Sequence, residues 1–225
     1  MPLLTSPHAS RREFLSVAGA TLASMVVSAR TADAQSTAGR PLRLALLSDT
    51  HIPANPADAF RGFSPVDNLA KVVPQVAASS VEGTLIGGDL ARLEGLPDDY
   101  ARLKTLLAPI TAKMPVGMVL GNYDHRGNFL QAFAPPAGAP ATGVANKHTG
   151  AREVGGLRFV LLDSLLAPNV TPGQLGSAQR DWLSKTLASA PSTPTIVVVH
   201  HTLGANDGEL VDAERLFEVD RKSVV

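Results

Sequence analysis

The sequence predicts an α/β fold in which strands and helices alternate along the chain and pack in layers. Short apolar runs of strand length recur along the chain, and segments with apolar residues at helical spacing lie between them. Hydrophobic residues make up 44% of the 225 residues, which is enough to build one sizeable core. Strands that alternate with helices in this way are typical of layered α/β domains.

The first half of the predicted domain alternates three strands with two helices. Apolar runs predict the strands, at residues 42–48, 84–87 and 116–120. Apolar residues at helical spacing predict the helices, at residues 65–79 and 98–110. Ser64 is placed to cap the first helix, whereas Pro74 predicts a kink or a break inside it, because proline has no backbone N–H to donate.

The second half follows a loop rich in Pro, Gly and Ala at residues 135–143. Two antiparallel strands are predicted, at residues 146–154 and 157–163, with Gly155 and Gly156 at the turn between them. A helix, a β-branched strand and a last short helix complete the pattern, at residues 177–190, 194–199 and 209–219.

Charge and cysteine content exclude several classes of protein. Lys plus Arg and Asp plus Glu each number 20, so the formal net charge is zero and no basic patch predicts a nucleic-acid partner. The chain contains no cysteine, which excludes disulfides, cysteine-bound zinc, iron–sulfur clusters and a thiol nucleophile. Any metal site must therefore be built from His, Asp, Glu or Asn.

The start of the chain has the pattern of an export signal. Arg11 and Arg12 stand in a twin-arginine setting and are followed by a weakly apolar stretch at residues 17–29. Ala32 and Ala34 then supply the small residues that a signal peptidase reads. The apolar stretch is too short and too weak for a stable membrane anchor, so the pattern indicates export rather than anchoring.

The chain is therefore expected to divide into three parts. These are a twin-arginine signal peptide at residues 1–34, a flexible leader at residues 35–40 and one folded domain at residues 41–225. The signal predicts the twin-arginine export machinery as a partner and an exported protein, either periplasmic or secreted.

Polar side chains follow four of the predicted strands, at the point where each strand ends. They are Asp49, His51, Asp89, Asn122, His200 and His201. Because ligand sites in open α/β sheets collect at the carboxyl ends of the strands, we expect most of these side chains to converge. Taken alone, the first three motifs are more typical of turns and His200-His201 of a buried pair, but their order and placement together favour a site. Oxygen and nitrogen ligands of this kind suit Zn, Mn, Fe or Co.

These residues form motifs that resemble, in order, those of the calcineurin-like metallophosphoesterase superfamily. The motifs are Asp49-Thr50-His51, Gly88-Asp89, Gly121-Asn122-Tyr123-Asp124 and His200-His201. The helix that carries Gln179, Trp182 and Leu183 resembles the cyclic-nucleotide-phosphodiesterase-like and purple-acid-phosphatase-like branches of that superfamily. The resemblance covers about residues 42–201. It implies a four-layer metallophosphoesterase fold, which is a β-sandwich flanked by helices with the site at the strand ends.

The resemblance also implies a dinuclear metal centre and its ligands. By matched position, Asp49 and His51 would bind the first metal ion, and Asn122 and His200 would bind the second. Asp89 would bridge the two ions, which would be divalent or mixed-valence transition metals, Fe, Mn, Zn or Co. A hydroxide that bridges the ions would attack a small phosphate mono- or diester in line.

The third motif departs from the family at one position. The family has a histidine after the asparagine, credited with protonating the leaving group or steadying the phosphate, whereas this sequence has Tyr123. A phenol can donate a proton but carries no positive charge at neutral pH. His125 lies two residues further on and can take the role, or it can be a solvated loop residue. Tyr123 and His125 therefore both stand as candidates for the catalytic acid.

The sequence contains no Gly-His-x-His motif, which carries the family's last two histidine ligands. From this absence we expect a C-terminally incomplete domain that lacks the last strands. The alternative to an enzyme is a truncated or degenerate exported domain that binds metal or a phosphate ligand without turnover. His201 is interpreted as lying behind the ligands or on the substrate side, and His148 as structural. Asp163 ends a strand but is not expected to bind metal.

Overall fold

The computed structural model of the protein describes residues 41–134, 143–204, 206 and 208–223. The predicted signal peptide and leader, and most of the predicted Pro/Gly/Ala loop, lie outside the described residues. Within these ranges the chain forms a mixed α/β fold with two small sheets, which confirms the predicted fold class.

The described part of the chain forms six strands and five helices. The strands are β1 (Leu44–Leu47), β2 (Gly83–Ile86), β3 (Val116–Met118), β4 (Gly150–Val154), β5 (Leu157–Leu161) and β6 (Thr195–Val198). The helices are α1 (Pro65–Ala78), α2 (Pro97–Thr111), α3 (Arg126–Ala132), α4 (Ser177–Ala188) and α5 (Ala213–Ser223). None of these five helices is both long and apolar enough to cross a membrane.

Two three-stranded sheets come together at the centre of the domain. In the first sheet the strands are all parallel in the order β1-β2-β3, so their carboxyl ends lie at one edge. In the second sheet β5 pairs antiparallel with β4 and parallel with β6. Gly117 of β3 lies where the sheets meet: a Cβ there would lie 3.5 Å from Leu161 Cδ1 of the second sheet, an ordinary contact, but only 2.7 Å from Leu85 Cδ2 of the neighbouring strand β2.

Helices cover the outer face of each sheet, which gives the predicted four layers. On the first sheet, buried side chains of α1 and α2 pack with those of β2, including Leu69, Leu103 and Ile86. On the second sheet, buried side chains of α4 and α5 pack with those of β5, including Leu183 and Val160. Burial of these apolar side chains between the layers stabilises the fold.

Helix α1 begins at the cap that its sequence predicts. Ser64 Oγ accepts a hydrogen bond from Asp67 N at 3.2 Å. The helix continues through Pro74 to its last residue, so the break expected there does not occur. Leu69 and Val73 are buried in the core beside it, and this burial offsets the hydrogen bond that proline cannot donate.

Helix α3 is short and is not predicted by the sequence pattern. His125 is its N-cap, and His125 Nδ1 accepts a hydrogen bond from Asn128 N at 3.2 Å. Asn128 Nδ2 donates to Gly95 O at 2.8 Å, and Phe129 is buried in the core of the first sheet. A helix of 7 residues is too short to be stable by itself, so these tertiary contacts hold it in place.

The buried carboxylate of Asp124 joins the two loops that follow β2 and β3. Its Oδ2 accepts hydrogen bonds from Leu90 N at 3.1 Å and from Gly121 N at 2.9 Å. Its Oδ1 accepts from Ala91 N at 3.1 Å and from the Tyr100 hydroxyl at 2.9 Å. Burial raises the pKa of Asp124, although the surrounding donors favour the charged form. Four donors on one carboxylate hold the two loops in a fixed relation.

We expect Asp124→Asn to lower the free energy of unfolding by about 2–4 kcal/mol, because the amide nitrogen would face donors and leave them without an acceptor. Urea unfolding followed by circular dichroism measures the change. Asp181→Asn, at an exposed position of α4, is the matched control and should change the free energy of unfolding by less than about 0.5 kcal/mol. Equal midpoints for the two variants would contradict a structural role for Asp124.

Candidate metal centre

The first two predicted motifs lie side by side at the carboxyl ends of β1 and β2. Asp49 N donates a hydrogen bond to Gly88 O at 3.0 Å, and His51 N donates to Asp89 O at 2.9 Å. These backbone bonds extend the pairing of the two strands beyond their ends. The loops that carry the predicted ligands are therefore locked together.

The backbone of three predicted ligands is in the left-handed region. The φ angles are 53° at Asp49, 43° at His51 and 48° at Asp89. This region is unfavourable for residues with a Cβ, and such residues are concentrated at functional sites, where the surrounding structure holds them. Here the bonds between the two loops supply that restraint, and the strain points to a site rather than to ordinary turns.

The side chains of these residues converge with His200, which follows β6. His51 Nε2 lies 3.8 Å from Asp49 Oδ1 and 3.8 Å from Asp89 Oδ2. His200 Nε2 lies 3.5 Å from Asp89 Oδ1. Ligand atoms of Asp49, Asp89 and His200 all lie within 4.8 Å of one another. The Asp49 side chain is 54% exposed and that of Asp89 only 5%, so Asp89 forms the buried floor of the cluster.

The hydrogen bond of His200 fixes which ring nitrogen faces the cluster. His200 Nδ1 lies 2.7 Å from Gly87 O, and because a carbonyl oxygen can only accept, Nδ1 carries the proton. Nε2, 3.5 Å from Asp89 Oδ1, is then the ring nitrogen that can bind a cation at the cluster. An imidazole nitrogen and a carboxylate oxygen this close share either a proton, as an ion pair, or a metal ion between them. The donor set therefore fits a metal ion, which neutral imidazole and carboxylate bind together.

Two glycines in the predicted motifs make room for this arrangement. A Cβ on Gly88 would lie 2.5 Å from His200 Nδ1, and the φ of Gly88 is 103°. A Cβ on Gly121 would lie 2.1 Å from Asp89 Oδ1 and 2.5 Å from Asp89 N. Because no side chain fits at either position, the motif glycines are needed for the approach of the loops to the ligands.

The residues before and after Asn122 both contact the cluster. Gly121 packs against Asp89, and Tyr123 N donates to Asp89 Oδ1 at 3.0 Å. The backbone oxygen of Asn122 accepts a hydrogen bond from Asn169 N at 2.7 Å. The structure thus brings the Asn122 loop to the centre, while the role of its side chain as a ligand stays a prediction.

The two candidates for the catalytic acid occupy different environments. The Tyr123 ring packs edge-on against His51, with ring centroids 5.4 Å apart. His125 instead caps α3 through Nδ1, and His125 N donates to the Tyr100 hydroxyl at 2.8 Å. Tyr123 is therefore the candidate that lies beside the cluster, and its role in proton transfer stays a prediction.

His201 lies beneath His200 and is almost fully buried. Its ring stands edge-on to that of His200, with centroids 5.4 Å apart, and its Nδ1 is 2.7 Å from Ser164 Oγ. Burial, followed by the nearby His200, lowers the pKa of His201 to about 4, so the ring is neutral near pH 7. Its ring also packs against Gly173. This position supports the ring of His200 from behind.

A buried ion pair that sequence reasoning missed ties α3 to the end of β5. Arg126 Nε and Nη2 lie 2.5 Å and 2.9 Å from the two carboxylate oxygens of Asp163, which also accepts from His148 N at 2.7 Å. His148 Nε2 is 2.9 Å from Met118 O. Asp163 and His148 therefore lie in a hydrogen-bond network that joins the two sheets behind the site. In the sequence, the only sign of this network was that Asp163 ends a predicted strand.

Comparison with known sequences shows the family of the chain. The calcineurin-like phosphoesterase family model matches residues 42–222, which is most of the chain. A probable cyclic nucleotide phosphodiesterase of Rhodococcus erythropolis is 31% identical over 161 residues, which cover 69% of this chain and 50% of that protein. The 3′,5′-cyclic adenosine monophosphate phosphodiesterase of Pseudomonas aeruginosa is 32% identical over 160 residues, which cover 70% of this chain and 54% of that protein. The chain spans about half the length of these relatives.

Solved structures share the fold. A dimetal phosphatase from Danio rerio superposes with a TM-score of 0.59 at 18% identity, over 80% of this chain and 77% of that one. A purple acid phosphatase from seeds of yellow lupin (Lupinus luteus) superposes with a TM-score of 0.53 at 20% identity, over 73% of this chain and 31% of that one. At these identities the two likenesses show the four-layer architecture and nothing finer.

Proposed function

This chain belongs to the calcineurin-like phosphoesterase family, and on that premise we propose that it hydrolyses a phosphate mono- or diester at the strand-end cluster. One observation supports the proposal above the others. The two oxygens of Asp89 face different imidazoles, with Oδ2 3.8 Å from His51 Nε2 and Oδ1 3.5 Å from His200 Nε2. A carboxylate so placed can serve two ions at once, as a dinuclear centre requires.

Each residue of the cluster has a part in the proposed reaction. Asp49 and His51 would hold one ion, His200 and Asn122 the other, and Asp89 both. When bound, the two transition-metal ions supply Lewis acidity and an activated water for in-line attack on phosphorus.

The surroundings of the cluster prepare it for this role. The hydrogen bond from His200 Nδ1 to Gly87 O keeps Nε2 aimed at the centre before any ligand arrives. Burial of Asp89 excludes water from the floor of the site, which strengthens its interaction with cations. The hydroxyl of Tyr123, whose ring packs edge-on against His51, would donate a proton to the leaving oxygen.

The names of the relatives narrow the substrate class that we propose. Two of them are described as cyclic nucleotide phosphodiesterases, and a cyclic nucleotide is a small phosphodiester. We therefore propose small phosphodiesters first and phosphomonoesters second. Family membership does not favour the alternative, a domain that binds metal or phosphate without turnover.

Metal removal tests the proposed function. The full chain should release p-nitrophenol from bis-p-nitrophenyl phosphate, lose this activity on chelation and regain it when Mn²⁺ is added back. Metal content is measured on the same samples. Hydrolysis that persists after the metal is removed would overturn the proposal, and bound metal without hydrolysis of either a diester or a monoester would support binding without turnover instead.

We also propose that the protein is exported by the twin-arginine route, which its N-terminal pattern supports. Replacing both Arg11 and Arg12 with lysine should retain the protein in the cytoplasm of a bacterial host, because the paired guanidinium groups are the recognised feature. Cell fractionation and immunoblotting measure the distribution. Arg30→Lys, which lies in the same segment but outside the pair, is the control and should leave export unchanged. Normal export of the double variant would refute this route.

A further inference from the structure

A large cavity opens beside the candidate metal centre. Its volume is about 710 Å³, which lies within the range typical of small-molecule sites. Asp49, His51 and Tyr123 line its polar end. The remaining wall is mostly apolar and includes Phe60 and Phe63. The cavity therefore joins a polar centre to an apolar chamber.

The two phenylalanines sit on a tight turn that we call the aromatic turn, residues 60–63. Phe60 N donates to Phe63 O at 2.8 Å, and Phe63 N donates to Phe60 O at 2.9 Å. Between them, Arg61 and Gly62 have φ angles of 50° and 81°, as a two-residue hairpin turn with φ positive at both positions requires. Phe60 is 60% exposed and Phe63 is 67% exposed. Two aromatic side chains are thus presented to solvent on a defined turn.

The loop that leads to the aromatic turn is held in position before any ligand binds. Ala54 N donates to Asp99 Oδ1 at 2.6 Å, and Arg102 Nε donates to Ala54 O at 2.7 Å. Arg92 Nη1 donates to Asp58 Oδ2 at 3.2 Å. Asp99 is buried, so its bond to Ala54 is shielded from water. Exposed aromatic side chains on an ordered loop beside a polar centre are typical of a binding surface.

Resting on the proposed function, we propose that this cavity binds a planar aromatic ring carried by the phosphoester, with the phosphoryl group at the metal centre. The polar end is the part of the cavity suited to a charged phosphoryl group, because Asp49 and His51 belong to the centre. Ser48, Thr50, Asn68 and Arg92 also line the cavity, but most of the remaining wall is apolar, and a ring can pack there on Phe60 or Phe63. A hydroxyl-rich ester would leave much of that apolar wall without a matching group. Aryl and nucleobase-bearing esters should therefore be preferred over polyol esters.

Binding of two phosphonates tests this without relying on turnover. Phenylphosphonate and methylphosphonate carry the same phosphonate group, and only the first carries a ring. Their dissociation constants are measured by calorimetry on the full chain loaded with Mn²⁺. The ratio of the two constants therefore reports the contribution of the ring. We expect phenylphosphonate to bind roughly tenfold or more tightly, since stacking on an aromatic side chain is worth about 1–3 kcal/mol. Phe63→Ala and Phe60→Ala should each reduce the ratio, and the double variant should bring it close to one.

Matched variants separate a lost ring contact from a general disturbance. Phe63→Tyr keeps a ring at the same position and should retain the preference. Phe217→Ala removes a partly exposed phenylalanine from α5, outside the lining of the cavity, and should change neither affinity. The variants at Phe60 and Phe63 should unfold at the urea midpoint of the parent protein, because both phenylalanines of the aromatic turn are exposed.

The outcomes distinguish this proposal from the proposed function. A tenfold preference for phenylphosphonate in a protein that hydrolyses no phosphoester would support ring binding by the cavity and contradict the proposed hydrolysis. Hydrolysis with equal affinity for the two phosphonates would support the proposed hydrolysis and contradict ring binding by the cavity. If the double variant converts a dimer into a monomer in sedimentation and leaves the ratio of affinities unchanged, the aromatic turn is a contact between copies of the chain and the proposal is wrong.

Discussion

Asp89→Asn is expected to leave at most one weakly held metal ion and to lower phosphoester hydrolysis by more than about 100-fold, since even substitutions behind a metal ligand cost 10–100-fold. Asp89 is the buried carboxylate whose two oxygens face His51 and His200. The asparagine side chain has the same shape but no negative charge, and only one of its two terminal atoms can bind a cation. Both proposed ions would lose the ligand that they share.

Metal content measured by mass spectrometry, on the same samples used for hydrolysis, checks this expectation. Asn122→Ala should affect one proposed ion and spare the other, which Asp49 and His51 would hold. Asp181→Asn makes the same chemical change at an exposed site and should alter neither metal content nor rate. Equal loss of metal in Asp89→Asn and Asn122→Ala would show that Asp89 does not bridge the two ions.

Gly121→Ala is expected to damage both stability and activity, although glycine and alanine differ by one methyl group. The added Cβ would lie 2.1 Å from Asp89 Oδ1 and 2.5 Å from Asp89 N, so either the loop after β3 or Asp89 has to move. Crowding of this kind costs about 1–3 kcal/mol of unfolding free energy. Displacing a catalytic group by about 1 Å can cost roughly 100-fold in rate, so hydrolysis should fall by a similar factor.

Gly150→Ala is the matched control for this effect. Gly150 lies in β4, and a Cβ there meets nothing within 4 Å. Its stability should therefore stay within about 1 kcal/mol of the parent, and its rate of hydrolysis should be unchanged. Urea midpoints and rates measured together on both variants decide the matter. If the two alanine variants behave alike, the close approach of Gly121 to Asp89 has no consequence.

The order of strands and helices could be predicted because apolar spacing along the chain reflects burial in the layers. Leu69 and Leu103 recur at helical spacing because one side of each helix packs on the first sheet. Helix α3 was missed because Gly127 and Asn128 are weak helix formers and its stability comes from contacts distant in sequence. The break predicted at Pro74 does not occur for a related reason, namely that packing of the helix outweighs the local propensity of proline.

The candidate site could be predicted as far as a rule about strand ends allows. Parallel strands bring their carboxyl ends to one edge, which placed Asp49 and Asp89 together from the pattern alone. The pattern could not show that His125 caps α3, because that depends on where α3 begins. It could not reveal the aromatic turn either, since Phe60 and Phe63 belong to no periodic pattern and acquire meaning from the cavity beside them.

The central claim, that the strand-end cluster is a dinuclear metal centre, is tested most directly by anomalous diffraction from crystals grown with Mn²⁺. We predict two anomalous peaks on opposite sides of Asp89, one beside His51 Nε2 and one beside His200 Nε2, each within about 2.0–2.3 Å of its protein ligands. Crystals saturated with Mn²⁺ that show only one peak at Asp89, or none, would contradict the claim.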